Sequence, residues 1–114
     1  MAARCIFCRI ALKELPAKFV FEDPEVMSFV DINPQAPVHL LIVPKLHIPD
    51  LVATSASQMG LLGKLIVVAK DLAVKYKCEQ GFRLVFNNGV RAGQTVDHVH
   101  LHLLSGRNMR WPPG

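Results

Sequence analysis

The chain has 114 residues, of which 51% are hydrophobic, and its 13 lysines and arginines against 9 acidic residues give a net charge of +4. This length predicts one domain with a core that dimerisation would enlarge, and the composition excludes wholesale disorder. The basic residues are scattered singly, so nucleic acid is not the expected partner. A modest positive field still favours small phosphorylated ligands.

The cysteines and the apolar runs bear on the cellular compartment. No apolar run approaches membrane-spanning length, and the first four residues lack the apolar core of a signal peptide. Three cysteines, an odd number, argue against a disulfide framework and suit a reducing compartment. We therefore expect a cytoplasmic protein, also nuclear if the source is eukaryotic, without a membrane partner.

Apolar spacing and turn residues predict two helices and five strands. A short helix is expected at 5–13, and a long amphipathic helix at 55–77, which begins with the capping box of Ser55 and Gln58. The strands are expected at 19–22, 26–31, 38–43, 82–87 and 98–104.

Cys5 and Cys8 open the first predicted helix with two residues between them. Two thiolates at this spacing suit zinc but supply only half of a tetrahedral ligand set. His47 and His98 are the candidates for the other half. The alternative is that both thiols are ordinary packing residues in a reducing cell.

Three histidines alternate with apolar residues near the end of the chain: His98, His100 and His102. On a strand, alternate side chains share one face, so we expect the three imidazoles to lie side by side. Imidazole acts as a nucleophile, proton donor or metal ligand near neutral pH. A rival interpretation makes the three histidines ligands of a catalytic zinc, but the first and last would stand roughly 13 Å apart at the backbone.

Taken together, these motifs resemble the histidine triad superfamily of nucleotide hydrolases and transferases, and the ending is similar to that of the Hint branch, the purine nucleoside phosphoramidases. The segments that carry the resemblance are the histidine row, Cys5-Ile6-Phe7-Cys8, Asp31-Ile32-Asn33-Pro34-Gln35-Ala36-Pro37, Val43-Pro44-Lys45, Gly93-Gln94 and Trp111-Pro112-Pro113-Gly114.

The resemblance implies an α+β fold: a five-stranded antiparallel sheet with one long and one short helix, in a homodimer paired through the long helix and a sheet edge. It implies a single domain over 1–114 in which the tail, 105–114, shapes access to the active site. Without the resemblance, a helix between sequential strands also allows a parallel βαβ unit.

The resemblance also assigns residues to a site. Four histidines are implied to be catalytic: His100 as the nucleophile, His102 holding the phosphate and helping to protonate the leaving amine, and His98 and His39 orienting the nucleophile. The nucleotide-binding residues are implied to be Phe29 and Ile32 at the base, Asp31 at the ribose, and Asn87, Gly93, Gln94, Thr95, His100 and His102 at the phosphate. Thr95 stands where a serine is more usual, and Asp97 where the nearest relatives tend to carry tyrosine.

The implied activity is hydrolysis of purine nucleoside 5′-phosphoramidates, of the adenosine 5′-monophosphoramidate type, through a covalent nucleotidyl-histidine. A purine nucleoside monophosphate or phosphoramidate is then the expected ligand. No metal is required for this chemistry, so a zinc at Cys5, Cys8, His47 and His98 would be structural. The alternatives are a nucleotide-binding or scaffold dimer and a dinucleoside polyphosphate hydrolase.

Overall fold

An antiparallel sheet organises residues 5–114, the part of the chain that the computed structural model describes. Residues 1–4, on which the expectation of no signal peptide partly rests, lie outside the described residues. The strands are β1 (Phe19–Glu22), β2 (Val26–Val30), β3 (Val38–Pro44), β4 (Phe82–Phe86) and β5 (Leu101–Ser105), and the α-helices are α1 (Ile6–Ala11) and α2 (Met59–Lys75).

The strand order is β1-β2-β3-β5-β4, and every neighbouring pair runs antiparallel. The expected α+β fold with a five-stranded antiparallel sheet is therefore confirmed. The alternative of a parallel βαβ unit is wrong, because β5 is inserted between β3 and β4 and pairs with both. The central position of β3 and β5 brings the histidines of these two strands together.

The sheet has an apolar core on each face. Along β3, Leu40 and Ile42 pack with the buried side of α2, whereas Leu41 and Val43 pack with Phe7 of α1 on the opposite face. This division follows from the period of two along a strand, which sends successive side chains to opposite faces. His39 alternates with the buried Leu40 of the α2 core and therefore lies on the α1 face with Leu41.

The long helix begins at Met59, later than the start at Ser55 that the capping box predicted. Ser55 N–H donates to Gln58 Oε1 at 2.9 Å, as in a capping box, but Ala56–Gln58 forms a 3-10 turn and α2 starts at Met59. Its buried positions recur with helical spacing at Leu65, Val68, Ala69, Leu72 and Ala73. Within residues 5–114, neither this helix nor any other has the length and apolar character needed to cross a membrane.

The last strand is shorter than predicted, since β5 begins at Leu101 and His98 and His100 precede it. Pairing with β3 starts at Leu101 opposite Ile42, and β3 ends at Pro44. Proline has no N–H to donate to a further rung of the ladder. Val99 N–H donates instead to the carbonyl of Ile48 at 2.7 Å, so the first two histidines follow an irregular path.

Two buried serines differ in their hydrogen bonds, so replacing each with alanine should change the free energy of unfolding in opposite directions. Ser28 is fully buried and its Oγ has no hydrogen-bond partner among the described residues, whereas the buried Ser105 donates its Oγ–H to the carbonyl of Gly81 at 2.6 Å. Removing an unpaired buried hydroxyl removes its desolvation cost, so we expect Ser28→Ala to raise the free energy of unfolding by about 1 kcal/mol. Ser105→Ala should lower it by about 1 kcal/mol. Urea denaturation measures both, and a change of the same sign in the two variants would contradict this account.

Candidate active site

A cavity of about 370 Å³ opens on the α1 face of the sheet, and its walls are mostly apolar side chains. The polar side chains that line it are those of Asp31, Thr95, His100 and His102. A cavity of this size with a few convergent polar groups is typical of a small-molecule site. The geometry of its two histidines decides what chemistry it can perform.

His100 is buried, and its Nδ1 lies 2.7 Å from the carbonyl oxygen of His98. A carbonyl only accepts hydrogen bonds, so Nδ1 carries the proton and Nε2 keeps its lone pair. Phe7 packs its ring edge-on against the imidazole, with ring centres 5.1 Å apart. Burial lowers the pKa of His100, which keeps the ring neutral and its Nε2 available as a nucleophile.

His102 is held in the opposite tautomer by His39. The backbone N–H of Gln35 donates to His39 Nδ1 at 3.0 Å, so the proton of the neutral His39 ring is on Nε2. That Nε2 lies 2.9 Å from His102 Nδ1, which therefore accepts and leaves the His102 proton on Nε2. Burial, with help from His100 and His39, lowers the pKa of His102 to about 4. His102 is thus a neutral side chain that can donate a hydrogen bond from Nε2.

Asp31 is fixed beside this pair. Its Oδ1 accepts the N–H of Asn33 at 2.8 Å, and its Oδ2 lies 3.3 Å from His39 Nε2. Burial lowers the pKa of His39, and the charge of Asp31 partly opposes this effect. The carboxylate belongs to the pocket wall together with Phe29 and the fully exposed Ile32.

The residues expected at the phosphate, apart from the histidines, lie in two environments. Thr95 lines the pocket, but Asn87, Gly93 and Gln94 do not. The buried Gln94 side chain donates to the carbonyls of Pro49 at 2.8 Å and Val96 at 3.0 Å. Its Oε1 accepts the N–H of Gly89 at 2.8 Å. Gln94 therefore holds the turn that precedes Thr95, and contact of these three residues with phosphate stays a prediction.

The second cluster of the site consists of Cys5, Cys8, His47 and His98, whose ligand atoms lie within 4.8 Å of one another. His98 Nδ1 is 3.3 Å from Cys5 Sγ and 3.1 Å from His47 Nδ1, and Cys8 Sγ is 3.3 Å from His47 Nδ1. Two sulfurs and two imidazole nitrogens are the donors of a tetrahedral zinc site.

The tautomer of His98 fits a metal at this cluster. Its Nε2 lies 2.7 Å from the carbonyl oxygen of Pro44, so Nε2 carries the proton and the lone pair of Nδ1 faces the thiols. Burial lowers the pKa of His98 to about 4, and only neutral imidazole binds a metal. The nearby trio of Asp31, His39 and His102 fits less well, because the N–H of Gln35 keeps a proton on His39 Nε2.

The three histidines are therefore not equivalent. The side chain of His98 does not line the pocket and lies in the cysteine cluster, although its carbonyl holds the His100 ring. The expected strand over 98–104 is wrong at its start, because His102 alone of the three lies in β5. The rings still neighbour one another: His98 and His100 both contact Phe7, and the ring centres of His100 and His102 are 5.0 Å apart. The geometry of His100 depends on the backbone of His98.

Two residues that contact the active-site histidines were given no role in the sequence analysis. Phe7 is the aromatic residue between the two cysteines, a position that could have indicated contact with the cluster. Gln35 acts through its backbone N–H, which no side-chain pattern reveals.

A family model described as the HIT domain matches residues 12–109. The chain belongs to the HIT family. Two relatives are similar over nearly the whole chain. An uncharacterized HIT-like protein of Synechocystis sp. is 48% identical over the full length of both chains. A protein of Zea mays described as a 14 kDa zinc-binding protein is 46% identical, over 96% of this chain and 87% of its own.

Solved structures of HIT proteins have the same fold. A HIT family hydrolase from Legionella pneumophila is 49% identical, with a TM-score of 0.96 over 97% of this chain and 100% of its own. A HIT family hydrolase from Clostridium thermocellum is 42% identical, with a TM-score of 0.93 over 96% of each chain. This HIT protein therefore has the fold of HIT family hydrolases, and its cysteine and histidine cluster is compatible with a structural zinc.

Proposed function

We propose that this HIT protein hydrolyses purine nucleoside 5′-phosphoramidates, of the adenosine 5′-monophosphoramidate type, through a nucleotidyl-histidine intermediate on His100. The observation that carries the proposal is the hydrogen bond from His100 Nδ1–H to the His98 carbonyl, which leaves the Nε2 lone pair for a ligand in the pocket. The HIT family hydrolases among the similar structures support a hydrolytic reaction.

In the first step, His100 Nε2 attacks the α-phosphorus in line with the leaving amine. The new bond joins nitrogen and phosphorus, and the amine departs with the electrons of the broken P–N bond and a proton from water. His102 Nε2–H assists by donating to the phosphoryl oxygens, where negative charge develops. A neutral His102 supplies this hydrogen bond without a change of protonation state.

In the second step, water attacks the phosphorus of the intermediate. The bond to His100 breaks, its electrons return to Nε2, and the proton released by the attacking water balances the one taken up by the amine. The products are a nucleoside monophosphate and a free amine. The histidine is regenerated without a metal-dependent step.

The nucleotide has a natural orientation in the pocket. The Asp31 carboxylate accepts hydrogen bonds from the ribose hydroxyls, and the apolar wall with Phe29 and Ile32 packs against the purine. Thr95 donates to the phosphate, while the loop with Asn87, Gly93 and Gln94 supplies further hydrogen bonds or shapes the turn. We propose these roles for the residues named from the family resemblance.

We further propose a structural zinc held by Cys5, Cys8, His47 and His98. When bound, the ion supplies a cross-link between the start of α1 and the segment before β5, and no chemistry. The zinc-binding relative supports this ligand. Thiolate ligands persist in a reducing compartment, in agreement with a cytoplasmic location.

We also propose that the chain forms a homodimer. β4 is an edge strand whose residues are all partly exposed. On α2, Lys64 and Asp71 line a groove with β1, and the half-exposed Ile66 stands more than a third of a turn from both, on the opposite side of the helix. An edge strand and a half-exposed apolar side chain on the long helix fit a second copy of the chain. In such a dimer, the single domain of 1–114 would extend its tail, 105–114, with the exposed Trp111, toward the partner's pocket.

The nucleophile is tested with His100→Asn and His100→Ala. We expect kcat for a fluorogenic adenosine 5′-phosphoramidate to fall by about a thousandfold or more, while adenosine 5′-monophosphate still binds. In wild type, quenching with denaturant at alkaline pH should trap one nucleotidyl group on His100, detected by mass spectrometry.

A chelator serves as the control in this experiment. We expect wild type that stays folded in the chelator to keep its turnover. Wild type that binds nucleotide without turning over the phosphoramidate would overturn the proposal in favour of a binding module or of dinucleoside polyphosphate hydrolysis.

The zinc is tested with Cys8→Ser against Cys78→Ser. Cys78 is buried outside the cluster, and its Sγ contacts the carbonyl of Tyr76 at 3.4 Å. We expect wild type and Cys78→Ser to carry one zinc per chain by elemental analysis, and Cys8→Ser to lose it and to melt at a lower temperature. Equal zinc content in the two variants would exclude this ligand set.

The dimer is tested with Ile66→Lys against Val52→Lys. Val52 is 83% exposed and lies outside α2 and β4, so its substitution adds the same charge to neither of the proposed interface elements. Sedimentation equilibrium should show a dimer for wild type and Val52→Lys, and a shift toward monomer for Ile66→Lys, because burying an unpaired charge is costly. A monomeric wild type would refute the assembly.

A further inference from the structure

The loop between β2 and β3, residues 31–37, supplies the backbone N–H that fixes the tautomer of His39. It contains no helix or strand, and its Gln35 is exposed. Yet the N–H of Gln35 is the group that donates to His39 Nδ1. The proton that His39 presents to His102 therefore depends on how well this exposed loop is held.

The turn that follows β5 holds the loop from outside. Arg107 Nε–H donates to the carbonyl of Gln35 at 2.9 Å. One residue earlier, Gly106 has φ +95°, and a Cβ built on it would lie 2.8 Å from Pro37 Cβ. A side chain at residue 106 would meet both obstacles, the left-handed backbone and the proline ring. The turn and the loop are thus in close contact at two neighbouring points.

We propose that Arg107 is a positioning residue for the His39–His102 pair and acts through Gln35. Arg107 is exposed and does not line the pocket, so its effect does not come from touching the nucleotide. It lies two residues beyond β5, the strand that carries His102. Its hydrogen bond therefore ties the loop that orients His39 to the strand that holds His102.

Loss of the Gln35 hydrogen bond would reverse the direction of the hydrogen bond between His39 and His102. When Gln35 N–H moves away, His39 gains access to the tautomer that carries its proton on Nδ1 and accepts at Nε2, opposed by the Asp31 carboxylate 3.3 Å from Nε2. His102 must then place its own proton on Nδ1 to keep the hydrogen bond between the rings. Its Nε2 becomes an acceptor and loses the hydrogen bond to the phosphoryl oxygens. This consequence rests on the role of His102 in the proposed function, but the tautomer itself does not.

The test combines kinetics with ¹⁵N spectra of the histidine rings. In Arg107→Met we expect the ¹⁵N shifts of His39 to move away from those of a ring protonated on Nε2 alone. We also expect kcat to fall about tenfold, the worth of one charged hydrogen bond, with KM unchanged. Arg107→Lys, which keeps a cationic donor, should recover most of both properties. Gly106→Ala should reproduce the Arg107→Met spectrum by pushing Pro37 and the loop outward.

Arg83→Met is the matched control. Arg83 also donates to a backbone carbonyl, that of Arg110 at 2.7 Å, and its loss removes the same charge without releasing Gln35. We expect wild-type His39 shifts from it. An unchanged His39 spectrum in Arg107→Met, or the same change in Arg83→Met, would overturn the proposal. If wild type has no phosphoramidase activity, the proposed function fails, and the spectra still decide the role of Arg107.

Discussion

The hydrogen bond from His100 to the carbonyl of His98 is the constraint on which the rest of the site depends. It fixes the proton on Nδ1 of the His100 ring and leaves the lone pair on Nε2 of a residue that lines the pocket. His98 is in turn held by Pro44 at one ring nitrogen and faces two thiols and His47 at the other. The cysteine cluster and the pocket thus share His98. Its side chain lies in the cluster, and its carbonyl oxygen accepts the hydrogen bond from His100 in the pocket.

Backbone groups fix the tautomers of three of the histidines. Gln35 N–H fixes His39, the His98 carbonyl fixes His100, and the Pro44 carbonyl fixes His98. Burial lowers the pKa of all three rings, so these rings do not readily gain a proton near neutral pH. A peptide group has a fixed direction in a folded chain, and it specifies a tautomer more firmly than a mobile side chain does.

Much of the fold could be predicted from the sequence, and so could the residues that meet at the pocket: Phe29, Asp31, Ile32, Thr95, His100 and His102. The geometry of the site could not. Alternating apolar residues indicated the strands, and the family resemblance supplied the antiparallel order that periodicity left open. The course of 98–100 was mispredicted because the effect of Pro44 on β5 requires knowledge of which strands pair. Local patterns also could not show that the side chain of Gln94 is occupied within its own turn, since its partners Pro49 and Val96 are chosen by the fold.

The insertion of β5 between β3 and β4 has a consequence for how the molecule is made. During synthesis, β1, β2, β3 and β4 all leave the ribosome before β5, but β4 has no sheet partner until β5 occupies the gap. The contacts that complete the sheet are therefore among the most distant in sequence, which slows folding and delays it until residues 101–105 are available. A nascent chain lacking β5 also lacks His102, so assembly of the sheet and acquisition of the complete histidine pair occur in the same event.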